Sequence, residues 1–311
     1  MPARVTLAYD ALGRQISEAS VFGTNTTAYD LAGRRTRLTH NDGFFVTYDT
    51  LVTGEVSAIR EYGAASGVGV LGTYAYDNLG NRTSLTRGNG TVTSYAYDPA
   101  TRLTSFTHDL SGAAQDVTSS FTYNSASQIA SRTRSNDAFA WSQAVAVNRA
   151  YVNNGLNQHT QSGAVALGYD GRGNLTGSGA TTYLYTAENR LATVSDSGGS
   201  RLFSYDALGR LAWTQGAALT YFEYNGTDVT RELSATAVLR RYVYGPGTDE
   251  PLVWYEGAGT ADRRWLHADE RGSVIAVTNA SGASIAVNSY DDYGIPASTN
   301  LGRFRIPGTL Y

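Results

Sequence analysis

The side chains that could do chemistry in this sequence are few and poorly grouped. Four histidines, His40, His108, His159 and His267, lie scattered without the spacing of metal ligands, and the chain has no cysteine, so a metal site would need carboxylates. The one dense polar group is His267 with Asp269 and Glu270, whose residue types suit acid/base work or a metal triad. Asp291 and Asp292 are adjacent, which puts them on opposite faces of a strand, whereas paired-carboxylate glycoside chemistry needs two groups facing each other across about 5 to 9.5 Å. The string "GVGVLG", from Gly67 to Gly72, fits the dinucleotide pattern GxGxxG letter for letter. It runs straight into "TYAYDNLGN", a hairpin phrase, so no helix N-terminus faces a pyrophosphate and the string reads as a loop. No GxSxG elbow, Walker loop or Ca2+-binding loop occurs. The six NxS/T triplets, Asn25, Asn81 and Asn174 among them, are expected by chance in so Asn-, Ser- and Thr-rich a chain. Trp141, Trp213, Trp254 and Trp265 remain as candidate glycan contacts, because flat aromatic faces stack on pyranose rings, although the packed face of a sheet accounts for them without a ligand. The expectation is a non-enzyme with no cofactor and no metal.

The composition points to what must hold these residues. Among 311 residues there are 34 Gly, 22 Tyr and only 6 Pro, with 16% charged, and Thr, Ser and Val dominate the rest. That balance suits strands and turns rather than helices. A net charge of −3 supplies no concentrated basic face, so a nucleic-acid partner is not expected. No apolar run approaches the ~18 residues of a membrane helix, and "MPARVTLAYDALGRQ" has no signal-peptide pattern, so any export information lies elsewhere. All 24 basic residues are Arg, whose planar guanidinium stacks on aromatic rings and pairs bidentately, a packing role that competes with plain genomic bias.

A repeat runs the whole length. The phrase YDxxG recurs at Tyr9, Asp10 and Gly13; Tyr29, Asp30 and Gly33; Tyr76, Asp77 and Gly80; Tyr169, Asp170 and Gly173; and Tyr205, Asp206 and Gly209. A further copy, Tyr290, Asp291 and Gly294, stands near the end, and degenerate copies at Tyr48, Tyr97, Tyr123, Tyr151, Tyr185, Tyr224 and Tyr244 fill most gaps. Spacings are mostly 16 to 21 residues. Each Asp suits the first position of a type I turn, where its carboxylate accepts a backbone N–H, and each Gly supplies the left-handed residue of a bulge that returns the strand. Pairs such as Tyr74 and Tyr76, or Phe203 and Tyr205, stand at i and i+2 and share one strand face.

Thirteen such units give about 26 strands, or about 125 Å of sheet, and open sheets beyond about 10 strands curl or split. The fold class is therefore all-β: an array of antiparallel hairpins in a long, curled or spiral sheet.

The YDxxGR/N array resembles the RHS, or YD-repeat, family, which includes bacterial polymorphic toxins, the shell component of insecticidal toxin complexes and the teneurin adhesion receptors. The stretch from Leu266 to Pro296, "LHADERGSVIAVTNASGASIAVNSYDDYGIP", is similar to the family's RHS-associated core, with His267, Asp269, Gly272, Ser273, Thr278, Ser281, Gly282, Tyr290, Asp291 and Gly294 in matching places. The resemblance divides the chain into a hairpin array over 1–265 and a core-like segment over 266–311, and it makes the His267 cluster a turn of that core rather than a catalytic group. It implies a partial β-shell that encloses or presents a C-terminal toxin or other cargo polypeptide, acts with a delivery machinery and is secreted or held at the cell surface. The sequence ends at "RFRIPGTLY", where the family's self-cleavage motif and toxin would follow, so neither is expected within it. The alternative is an adhesion module that contacts cell-surface glycans through the same repeats; no membrane insertion is expected.

Overall fold

Thr-, Val- and Tyr-rich runs punctuated by DxxG turns leave the backbone one economical choice, the antiparallel meander. The computed structural model describes residues 4–291 and 293–303; Asp292 and the last part of the core-like segment lie outside that range. Among the described residues there are 27 strands, from Thr6–Tyr9 to Ser284–Val287, each hydrogen-bonded to its neighbours in sequence except where Ile129–Arg134 gives way to Tyr151–Asn153. Twelve, through Ile129–Arg134, form one sheet, and fifteen, from Tyr151–Asn153 onward, form a second. The single long sheet read from the repeats is thus interrupted once, where residues 141–150 carry no regular structure. Gly67–Gly69 is a short 3-10 turn leading into the strand Val70–Tyr76, so "GVGVLG" opens no α-helix.

The second sheet lies over the first in the same strand order. Asn25 bonds to the Tyr224 carbonyl, Glu61 to the Tyr255 hydroxyl, Asn89 to Thr278 and His108 to the Ala268 carbonyl. Such partners are 160 to 208 residues apart, so the chain comes back over itself about once every 190 residues. Flat sheets could not manage this. With the strand Leu219–Asn225 set over Gly23–Tyr29, the ends to be joined, Arg134 and Tyr151, would stand about 80 Å apart at ~4.8 Å per strand. The 16 intervening residues reach about 55 Å when fully extended. The wall has to curl.

Where the layers overlap, alternate residues of both interlock. Phe44, Ile59, Leu71, Tyr74 and Leu85 of the first sheet pack against Val243, Leu252, Tyr255 and Trp265 of the second. Each fully buried apolar side chain of this kind stabilises the fold by about 1.5–3 kcal/mol. Strands Val238–Tyr244, Pro251–Glu256 and Val274–Thr278 are buried on both faces, because Tyr242, Trp254 and Leu266 form a second cluster on the far side, which Leu301 helps to cover. Residues 151–205 contain no fully buried side chain; this arc of the wall has no second layer.

Candidate functional site

Two sets of residues repay description at the atomic level: the turns that carry the repeat, and the polar seam between the layers. In the turn Tyr205 to Arg210, one oxygen of Asp206 accepts the N–H groups of Leu208 and Arg210, both at 2.9 Å. The other oxygen accepts Arg210 Nε at 2.8 Å. The Gly209 N–H closes the turn on the Asp206 carbonyl at 3.0 Å, and Gly209 sits at φ +82°, where a Cβ would also strike the Arg190 guanidinium. Asp10, Asp30, Asp77, Asp170, Asp269 and Asp291 each accept the N–H four residues on in the same way. The glycine three residues after each of them, Gly13, Gly33, Gly80, Gly173, Gly272 and Gly294, lies between φ +76° and +87°. Donors at the fourth residue hold Asp10, Asp30, Asp77 and Asp170 below the usual carboxylate range. At Asp10 and Asp30 the main cause is the backbone N–H of Arg14 or Arg34, and at Asp77 and Asp170 it is the side-chain amide of Asn81 or Asn174.

Turn is fastened to turn by the tyrosine and the arginine. The hydroxyls of Tyr29, Tyr76, Tyr169, Tyr205 and Tyr290 each donate at 2.9 Å to a carbonyl in the preceding hairpin, that of Gln15, Val56, His159, Leu191 and Val274 respectively. Arg14 pairs with Asp10, donates to the Asp30 carbonyl and stacks over the Tyr29 ring at 4.9 Å. Arg210 repeats the pattern with Asp206, the Gly226 carbonyl and the Tyr224 ring at 4.4 Å. One guanidinium thus serves an acid, a carbonyl and a ring together, which a compact ammonium could not do. Tyr9, in the first hairpin, is 55% exposed.

The seam between the layers holds three buried imidazoles. His108 and His267 face each other edge to face, 5.4 Å between centroids, one from each sheet. His108 Nε2 donates to the Ala268 carbonyl at 3.0 Å, which fixes its tautomer and leaves Nδ1 to accept from Thr93 Oγ1 at 2.8 Å. His267 Nε2 meets Thr278 Oγ1 at 3.0 Å, and its Nδ1 has no partner among the described residues. Arg87 lies beside both rings. Burial, then the Arg87 charge, holds His108 down at about 3 and His267 well below the ordinary imidazole value. His40 is held at about 3 by burial, then by Arg241 and Arg231, the two guanidiniums that share Asp42. All three imidazoles are thus held in the neutral form between the layers.

Several sequence expectations change here. His267 belongs to the strand Arg263–Ala268 and is fully buried, so it is not part of the turn that Asp269 and Gly272 make. Asp269 and Glu270 face Arg132 of the first sheet. Trp265, 0% exposed, donates to the Leu71 carbonyl at 3.0 Å, and Trp254 is 3% exposed beneath Gly302, so neither offers a sugar an open face. Trp213 and Trp141 are half-buried, and Trp213 lines a cleft with Phe203 and Tyr205. Among the described residues no group of three or more His, Asp or Glu side chains could hold a metal ion. Sequence reasoning missed the seam, because the bonds that tie one sheet to the other join residues more than about 130 positions apart.

With that geometry in view, the relatives are informative. Residues 76–114 match the RHS Repeat family model. The tRNA3(Ser)-specific nuclease WapA of Bacillus spizizenii is 31% identical over 169 residues, 50% of this chain and 7% of that protein. The tRNA nuclease WapA of Bacillus subtilis is 27% identical over the same length. The crystal structure of TcdB2-TccC3-TEV superposes with a TM-score of 0.67 at 14% identity, covering 99% of this chain and 21% of that one. The chain therefore spans about 7% of the length of the curated relatives it matches. The resemblance read from the YD phrases holds: an RHS repeat is present, and the all-β wall has the fold of part of TcdB2-TccC3.

Proposed function

We propose that this chain is a non-catalytic section of an RHS-type shell that encloses or presents a toxin or other cargo polypeptide. The observation that supports the reading is the curled wall, whose second sheet returns over the first after about 190 residues, as a wall winding around a volume would. The relatives support it, since the WapA proteins are tRNA nucleases and the wall's fold is shared with TcdB2-TccC3. On this reading the wall acts with a cargo polypeptide and a delivery machinery in a secreted or cell-surface setting. No helix among the described residues is long and apolar enough to cross a membrane.

Limited proteolysis of the native gene product tests it. A segment carried inside the wall resists protease until the wall is unfolded by denaturant; cleavage at the rate of the free segment would reject enclosure. A second reading, glycan contact, now rests on the half-buried Trp213 in its cleft with Phe203 and Tyr205. Saturable binding on a glycan array that disappears with Trp213→Ala supports it, and no binding removes it.

A further inference from the structure

Of the three fully buried arginines among the described residues, two carry an ion pair, as do the half-buried Arg210 and Arg263, and one does not. Arg231 is matched by Glu223 and Asp42, Arg241 by Asp42, Arg210 by Asp206 and Glu18, and Arg263 by Glu61. Arg87 is 4% exposed, yet among the described residues no carboxylate lies within ion-pair distance of it. Its Nη1 donates to Thr93 Oγ1 at 2.8 Å and its Nη2 to the Leu266 carbonyl at 3.3 Å, while the buried Nε meets no acceptor. The acid nearest in the field of Arg87, Glu250, is already held by both ends of Arg82, at 2.5 and 3.1 Å. A guanidinium taken out of water without a counter-charge is costly, so proteins seldom keep one unless something supplies that charge.

Arg87 lines a cavity of about 360 Å³ between the two layers, which Arg82, Tyr95, Tyr97 and His108 also line. That volume is at the small end of the ligand-pocket range, about 300–1,000 Å³. Four acids also line it: Asp269 accepts the N–H groups of its own turn, Glu270 pairs with Arg132 and Glu250 with Arg82, while Asp249 is exposed. The buried Arg87 Nε has no acceptor among the described residues, and neither has the buried Tyr74 hydroxyl. Charge-assisted, planar pairing with a guanidinium is what a carboxylate offers.

We propose that the interlayer cavity at Arg87 binds a carboxylate, either a free small acid or an acidic side chain of an enclosed polypeptide, and that the bound group clamps the inner layer to the outer. This site is independent of the enclosure reading, since a small acid would occupy it whether or not the wall holds cargo.

Thermal unfolding of the full chain tests it, with sodium acetate, N-acetyl-glutamate amide and N-acetyl-glutamine amide each added against sodium chloride at matched ionic strength. A saturable rise in Tm with acetate or with the glutamate compound, and none with the glutamine compound, is the expected result. A response to acetate alone identifies a site for free acids, and a response to both identifies one that also admits a side chain. Arg87→Met should unfold at a higher temperature than the parent without acetate, because the unpaired charge is gone, and should show no acetate response. Arg87→Gln, which keeps a donor toward Thr93, should bind at least tenfold more weakly. The proposal is overturned if the parent responds to acetate no more than to chloride, or if either variant keeps the full response.

Discussion

Acidification from pH 7 to pH 5.5 should cost this fold about 4 kcal/mol through His40, His108 and His267 alone. In the unfolded chain an imidazole titrates near 6.5. In the folded wall burial and neighbouring arginines hold His40 and His108 at about 3 and His267 well below its ordinary value. Below pH 6.5 the unfolded state therefore binds protons that the folded state refuses, and stability falls as the pH falls. Each site contributes about 1.3 kcal/mol between pH 7 and pH 5.5, and the three together about 4. Burial raises the carboxyls of Glu223, Asp228 and Glu270, which act in the opposite sense and reduce the total. The assay is calorimetric unfolding at pH 5.5 in buffers of different ionisation enthalpy, which counts the protons taken up. His108→Gln keeps a donor for the Ala268 carbonyl and an acceptor for Thr93, and it should lower the uptake by about 0.9 proton. An uptake unchanged in this variant, or a parent equally stable at both pH values, would refute the argument that these imidazoles are neutral in the seam.

Three further outcomes follow from the same contacts. Asp206→Ala removes the acceptor for two backbone N–H groups and the partner of Arg210; it should cost about 2–3 kcal/mol in urea unfolding, whereas Leu208→Ser at the exposed tip of the same turn should change stability by less than about 0.5 kcal/mol. Asp42→Ala leaves Arg231 without one of its two acids and Arg241 without its only one, and a loss of about 2–4 kcal/mol is expected by the same measurement. Trp265→Phe removes the donor to the Leu71 carbonyl and leaves space in a filled core; about 2–4 kcal/mol should be lost, read most directly as faster amide exchange in the strand Val70–Tyr76.

The repeat was legible in the sequence because its instructions are local. Asp206, Gly209 and Arg210 lie within five positions, and turn chemistry decides their roles with no reference to the rest of the chain. Curling was legible from arithmetic, since that many strands cannot stay flat. What the sequence did not disclose is where the second circuit sits on the first. Trp265 reads as a packed sheet face or a glycan contact until the Leu71 carbonyl is placed over it, and His267 reads as a turn residue until strand Arg263–Ala268 carries it into the seam. Arg82 finds Glu250 across 168 positions; no local pattern marks either residue as half of a pair. The absence of lysine fell between these cases: stacking on tyrosine was foreseeable, but the simultaneous grip on the next turn's carbonyl was not.

That grip makes each hairpin a buttress for the one before it, so the array should behave as a row of dominoes rather than as a single block. Residues 141–150 interrupt both the strand ladder and the chain of clamps, and the arc from 151 to 205 has no layer behind it. A disturbance entering that arc has a stopping point on one side and a doubly buried, stiff section on the other. The seven strands between them bury no side chain fully, so their amides should exchange ahead of those in both neighbouring sections, as the weakest course in the masonry.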